Sequence, residues 1–140
     1  MSPTPELRAA RDADIPRLME IRAAVRENRL VDRAIGAADY RPYVEGGCCW
    51  VWEEAGAILG FAALDARTAS VWALFVDPDA EDRGIGRLLL ARLVEEGGRR
   101  GLAALTLNTA EGTRAAAFYR AAGWQALGLD GGERLFRLAL

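Results

Sequence analysis

Val76-Asp77-Pro78-Asp79-Ala80-Glu81-Asp82-Arg83-Gly84-Ile85-Gly86-Arg87-Leu88-Leu89-Leu90 reads as the end of an apolar strand, a proline break, a short loop, and a helix opening on Gly84-Ile85-Gly86. Upstream, Val71-Trp72-Ala73-Leu74-Phe75-Val76 is apolar throughout, as expected of a central strand covered on both faces. Asp77-Pro78 stops it. Downstream, Ile85, Leu88, Leu89 and Leu93 put apolar groups mostly on one helical face. Gly97-Gly98 and Gly101 are expected to end that helix, and 103–107 to form the next strand. Strand, helix and strand in this order predict a right-handed crossover between parallel strands.

Working outward, 6–10 reads as a short first strand. Asp12 and Asp14 offer N-caps with Pro16 in the first turn, and Leu18, Ile21 and Val25 follow at helical spacing, so a helix is expected over 14–26. In the less regular stretch 28–43, Asp39 is expected to cap a short helix that runs through Val44 and ends at Gly46-Gly47. Residues 48–53 and 58–65 read as two strands joined by the turn Glu54-Ala55-Gly56-Ala57. Residues 113–122 form a helix closed by Gly123, and 124–127 and 133–138 two last strands. The order β-α-(α)-β-β-β-α-β-α-β-β is an α+β arrangement. No internal repeat or linker divides the 140 residues, so one domain is expected over 1–140.

Composition removes several chemistries. There is no histidine, hence no Ser-His-Asp or Cys-His catalysis and none of the commonest metal ligand. The cysteines are the neighbours Cys48 and Cys49, which suit neither an unstrained disulfide nor a zinc site and read as buried thiols in a reducing compartment. No metal is expected. A net charge of −2, with scattered arginines, favours no nucleic acid partner. Neither a signal peptide nor a membrane span is legible, so a cytoplasmic protein without a membrane partner is expected.

The opening stretch has the physics of an anion cradle. The first N–H groups of a helix lack intrahelical partners, the macrodipole adds roughly half a positive charge there, and glycine lets a phosphate approach the backbone. A pyrophosphate would sit on the N–H groups of about Asp82 to Leu88. A dinucleotide fingerprint would need a third glycine where Leu89 stands, and a P-loop would need Gly-Lys-Ser/Thr. A strand–helix turn that simply requires glycine remains an alternative.

A second constellation bears on that choice. Leu105-Thr106-Leu107-Asn108 is a strand ending in an amide, followed by Ala115-Ala116-Ala117-Phe118-Tyr119-Arg120-Ala121-Ala122-Gly123-Trp124. Together the two segments resemble the GCN5-related N-acetyltransferase (GNAT) family. The loop matches its Arg/Gln-x-x-Gly-x-Gly/Ala motif. The later run matches its Asn…Ala-x-x-Phe-Tyr-x-x-x-Gly-Phe signature, with Trp124 where Phe is common. Glu81 departs from the pattern, standing where Arg or Gln is usual. It is expected to point to solvent, with Arg83 and Arg87 supplying positive charge.

The resemblance implies an αβα sandwich, with a mixed, mostly antiparallel sheet and a splayed pair of parallel strands. It implies direct acetyl transfer from acetyl-CoA to a primary amine, carried by a small molecule or a peptide, in a ternary complex. The cosubstrate would lie between Ser70–Val76 and 103–108. Phe75 and Val76 would align the pantetheine and polarise the thioester through their backbone, a kind of stabilisation whose loss costs ~3 kcal/mol. Arg83, Gly84, Ile85, Gly86, Arg87 and Leu88 would hold the phosphates, Asn108 the pantetheine arm, and Tyr119 would be the general acid. For Tyr119 the alternative is an aromatic packed under the sheet with its hydroxyl satisfied by backbone. Phe118 reads as core and Arg120 as a solvated helix residue. Asp39, Glu45 and Asp65 are candidate carboxylates for taking the amine proton, while Tyr40, Tyr43, Trp50 and Trp72 are candidate walls of an acceptor pocket. The competing functional class is a non-catalytic acyl-CoA sensor or interaction module on the same scaffold. The last two strands leave a sheet edge, from which a homodimer is expected.

Overall fold

The computed structural model describes residues 4–25 and 35–140. The order is β1 (Glu6–Ala9), α1 (Ile15–Ala24), α2 (Ala37–Glu45), β2 (Cys49–Glu54), β3 (Ala57–Asp65), β4 (Ser70–Val76), α3 (Ile85–Arg99), β5 (Ala104–Ala110), α4 (Arg114–Ala121), β6 (Gln125–Asp130) and β7 (Glu133–Ala139). Short 3₁₀ turns precede α1 and α3, at Asp12–Asp14 and Pro78–Ala80. The strands form one sheet in the order β1-β2-β3-β4-β5-β7-β6. Its neighbours are antiparallel except β4 and β5, which are parallel. This is the α+β architecture expected. Among the described residues no helix is long and apolar enough to cross a membrane.

Two apolar layers hold the sheet. On one face α3 and α4 bury Leu89, Leu93, Leu105 and Phe136, each at 0 % exposure. On the other, α1 and α2 bury Leu18, Ile21, Tyr40 and Phe61. Gly60 marks where α3 lies closest to β3. A Cβ there would meet the Leu89 side chain and the Phe75 carbonyl, both at 3.1 Å. Arg17 ties α1 to the end of β4, donating to the Ile58 carbonyl at 3.0 Å and to Asp77 at 2.7 Å. Asp77 in turn accepts the Asp79 N–H at 2.9 Å, and together these two donors hold its carboxyl below the usual carboxylate range.

Several expected boundaries move, each for a physical reason. The third helix does not stop at Gly97-Gly98 but runs to Arg99. Gly97 is buried inside it, where a Cβ would come within 2.9 Å of Leu140 and 3.4 Å of Leu105, so the glycine serves close packing on β5. Asp39 is not the cap of α2. Gly36 holds that position, and Asp39 sits at N3, reaching back to accept the Gly36 N–H at 2.8 Å. Strand β5 extends to Ala110 and β6 to Asp130, past a register shift between Ala126 and Leu129. The helix closing at Gly123 is a Schellman motif. Trp124 N–H donates to the Tyr119 carbonyl at 3.0 Å and Gly123 N–H to that of Arg120 at 3.1 Å. Arg26 and the stretch 28–34 lie outside the described residues.

Strand β4 is the informative exception. It was expected to be covered on both faces, yet of its residues only Ala73 is fully buried. Its pairing with β3 jumps from Ala63↔Ala73 to Leu64↔Val71, leaving Trp72 as the extra residue of a bulge. Among the described residues its bridge to β5 is the single pair Ser70↔Thr106. Beyond that pair the two parallel strands diverge, and their inner edges face an opening.

Candidate active site

That opening is a cleft of about 1400 Å³. Val71 to Val76 form one wall and Leu107 to Ala110 the other. The start of α3 and the Phe118-Tyr119 turn of α4 close one side, and α1 with Tyr40 the other.

The α3 end of the cleft supplies donors. Gly84 is the N-cap, with φ of +83°, a left-handed conformation that favours glycine, and no side chain caps the helix. Among the described residues the first N–H of α3 to find an acceptor is that of Leu88, on the Gly84 carbonyl at 3.1 Å. The N–H groups of Ile85, Gly86 and Arg87 are therefore left at the mouth of the cleft, whose lining includes all three residues and Gly84. Leu88 is 47 % exposed and off the lining. Its amide is already used, which corrects the expectation that it serves a phosphate.

The charges near this end also differ from expectation. Arg83 does not line the cleft. Its guanidinium is held by Glu54 through contacts of 2.6 and 2.7 Å, and that pairing lowers the Glu54 pKa. Arg87 does line it. Glu81 does not point freely to solvent but is ion-paired with Arg114 at the cleft. The carboxylate that replaces the family's Arg or Gln is thus offset by an arginine from α4.

Tyr119 is buried at 6 % exposure and lines the cleft. Its ring meets Phe118, Trp124 and Phe136 at centroid distances of 5.2, 5.4 and 6.0 Å. Burial alone pushes its phenol pKa up, with no hydrogen bond or charge contributing. The packed-aromatic alternative needed a backbone partner for the hydroxyl, and none is found among the described residues. Phe118 is half-buried and lines the cleft as well. Asn108 is exposed on β5, paired in register with Leu135 and facing the cleft.

Arg120 is exposed on α4, but its guanidinium is not free. It donates to both oxygens of Glu111 at 2.9 and 3.0 Å, while Arg134 Nε donates to the same carboxylate at 2.6 Å. These arginines hold the Glu111 pKa down to about 2 and tie α4 to β5 and β7. A carboxyl depressed on folding contributes stability that is fully present above its unfolded pKa and is lost as pH falls through the folded value. Glu111→Gln is therefore expected to lower the melting temperature at pH 7. The difference from wild type should shrink steadily between about pH 4.5 and pH 2, as read by thermal melts across that range.

None of the candidate carboxylates Asp39, Glu45 and Asp65 lines the cleft. Asp39 sits at N3 of α2 and accepts the Gly36 N–H, Glu45 is exposed at the helix end, and Asp65 accepts from Tyr43 and Arg67. Of the candidate aromatic walls, Tyr40 and Trp72 line the cleft. Tyr43 stacks on Trp72 at 4.4 Å. Trp50 lies in the core on the α3 face, under Arg92 at 4.6 Å. Residues that the sequence did not single out also line the cleft: Arg22 from α1, Arg114 from α4 and Glu133 from β7. Each comes from an element far away in sequence, with no local motif to mark it. Cys48 and Cys49 are buried and free, and burial pushes the Cys49 thiol up to about 12. Among the described residues no cluster of three or more His, Cys, Asp or Glu is placed to hold a metal.

A GCN5-related N-acetyltransferase from Rhodopseudomonas palustris superimposes with a TM-score of 0.80, at 21 % identity over 100 % of this chain and 98 % of that one. A Salmonella typhimurium protein solved with its cofactor acetyl-CoA gives 0.78, at 22 % identity over 99 % and 95 %. An N-acetyltransferase of Thermoplasma acidophilum in complex with coenzyme A gives 0.81, at 14 % identity over 98 % and 99 %. Comparison with curated protein sequences gives no significant match. The structural likenesses carry the fold. The sequence itself matches the model of the acetyltransferase (GNAT) domain over residues 45–126, more than half its length, so the chain belongs to the GCN5-related N-acetyltransferase family.

Proposed function

We propose that residues 1–140 act as one N-acyltransferase domain that moves acetyl from acetyl-CoA to a primary amine by direct attack, without a metal. The observation that carries this reading is the splayed β4–β5 pair, which opens onto the uncapped start of α3 with Tyr119 in its wall. The Salmonella and Thermoplasma proteins hold acetyl-CoA and coenzyme A, and the donors here suit such a ligand. Acetyl-CoA supplies the activated thioester. The Ile85, Gly86 and Arg87 N–H groups and the Arg87 side chain receive the phosphates. The backbone edge of Phe75 and Val76, freed where β4 leaves β5, orients the pantetheine and polarises the thioester carbonyl. Asn108 bonds the pantetheine arm from the opposite wall.

The amine lone pair attacks the thioester carbon, the C–S bond breaks with its electrons on sulfur, and the amine proton leaves to water. Tyr119 stabilises the departing thiolate. Its raised pKa keeps the phenol protonated, so it donates a hydrogen bond to sulfur. Thiol release from acetyl-CoA across a panel of small amines and peptides tests the reading. Amine-dependent release is expected. Binding of acetyl-CoA with no release, and no slow hydrolysis when acceptor is omitted, would make the chain a sensor instead. We also propose a homodimer along the outer edge of β6, the terminal strand of the sheet. A monomer by light scattering at high micromolar concentration would rule it out.

A further inference from the structure

We infer that the acceptor amine carries a carboxylate, and that Arg22 receives it. This rests on the acetyltransferase reading above and names the substrate class of the same site. Arg22 stands on the last turn of α1, half-buried, and lines the cleft. Its guanidinium carbon lies 5.2 Å from the ring centroid of Trp72 and 4.9 Å from that of Phe75. Stacking on these rings fixes the plane of the fork and leaves its edge to bond.

Other part-buried arginines of the chain have acids. Arg8 holds Asp14 and Glu53, Arg17 holds Asp77, Arg92 holds Glu96, and Arg134 holds Glu111. Arg22 makes no ion pair among the described residues, and its Nη1 is sealed from solvent without a partner. The Tyr40 hydroxyl is likewise buried, with no carboxylate or carbonyl acceptor among the described residues. The two groups are neighbours. Burial raises the Tyr40 pKa, and the Arg22 guanidinium beside its oxygen, as a hydrogen-bond donor and as a charge, opposes that rise. Tyr40 also meets Trp72 edge-on at 5.1 Å. A charged donor and a hydroxyl, neither with a carboxylate or carbonyl acceptor among the described residues, therefore stand side by side in the wall of one cleft.

Leaving such donors unpaired is costly, and an anionic acceptor satisfies both. A carboxylate presents two oxygens to the fork in its plane. The cleft's other end, at the start of α3, already suits the phosphates of acetyl-CoA, which makes Arg22 the anchor for the second substrate. Phe75 fixes the scale. Its ring lies under the guanidinium while its backbone belongs to the edge that orients the thioester. A carboxylate on Arg22 is thus close to the reacting carbon, and the amine and carboxylate belong to one small molecule, an amino acid or short aminocarboxylic acid.

The test compares amino acids with their own carboxamides, with phosphoethanolamine as the phosphate arm, in kcat/KM for wild type, Arg22→Gln and Arg22→Lys. Wild type is expected to prefer acid over amide by about 10- to 100-fold. Arg22→Gln should bring that ratio close to one, mainly through KM, and Arg22→Lys should keep part of it. A wild type that uses acid and amide equally would overturn the inference, as would an Arg22→Gln variant that keeps the preference, or a preference for phosphoethanolamine over every acid. Calorimetry with N-acetylamino acids and N-acetylamino amides, in the presence of CoA, asks the same question without turnover. Acid-selective binding that depends on Arg22 in a chain without transferase activity would sustain the inference and remove the enzymatic reading. Transfer to amines without acid selectivity would do the reverse.

Discussion

Gly86→Val is expected to keep its fold and lose the stabilisation that acetyl-CoA gives the wild type. At a ligand concentration a hundred times Kd, binding to the native state alone is worth about 2.7 kcal/mol. For a chain of 140 residues that corresponds to a rise in melting temperature on the order of 10 °C. An unchanged wild-type melting temperature in millimolar acetyl-CoA would remove the central claim. Gly86 is the sensitive position because it sits in the first turn of α3, at the mouth of the cleft. A Cβ added there meets Phe118 and Val76 first, both at 3.6 Å, which is ordinary contact. The chain's own packing therefore tolerates a side chain, and the branched methyls intrude on the space a phosphate would use. Valine is the better helix former by a few tenths of a kcal/mol, so the free variant should melt within a few degrees of wild type. A variant that keeps the full ligand-induced shift would place the phosphates away from this turn.

The uncapped start of α3 at the cleft was legible because its geometry is local. Apolar strand, proline break and glycine-opened helix are adjacent in sequence, and the donors they leave at the cleft are backbone N–H groups. Ser70–Val76 was likewise set by propensity, whereas Thr113, read as the first residue of α4, caps it from outside. The shape of β4 was not legible. A continuous apolar run fits a strand covered on both faces, yet the bulge at Trp72 turns its inner edge toward a cleft. The run is apolar because one side meets the core and the other meets the cleft. Gly97-Gly98 misled for a related reason. A glycine needed for close packing has the same letter as one that ends a helix, and only the position of Leu140 and Leu105 separates the two uses.

Charge pairing was the least legible layer. Arg83 turns to Glu54 across the sheet, Glu81 to Arg114 and Arg120 to Glu111. Such partners are set by the tertiary fold and leave no spacing signal. The departure at Glu81 illustrates this, since the acid that looked unfavourable beside a polyanion is neutralised by a residue more than thirty positions away. Arg22 is the converse case, an ordinary helix arginine in sequence whose distinction is that the fold gives it aromatic rings and, among the described residues, no acid.

Tyr119→Phe is expected to slow turnover by about 100-fold while leaving acetyl-CoA affinity nearly intact. General acid assistance is usually worth about 10²–10⁴-fold. The low end applies here because CoA thiolate is already a fair leaving group and water can partly replace the hydroxyl. The burial that raises the phenol pKa sharpens the point. A phenol that is a weaker acid than usual does not hand its proton outright to a thiol with a pKa of about 8.5. It stabilises the sulfur through a hydrogen bond as the C–S bond breaks, an interaction absent from the ground state. The loss should therefore fall on kcat and kcat/KM alike. For the same reason no alkaline limb from Tyr119 should appear in the wild-type pH–rate profile near pH 10, where an ordinary phenol ionises. The phenyl ring keeps its contacts with Trp124 and Phe136, and the hydroxyl removed has no partner among the described residues, so stability should change by less than about 1 kcal/mol. Full activity of Tyr119→Phe on the identified acceptor would make Tyr119 a packing residue, and the departing thiolate would then have to be met by water entering along the β4–β5 cleft.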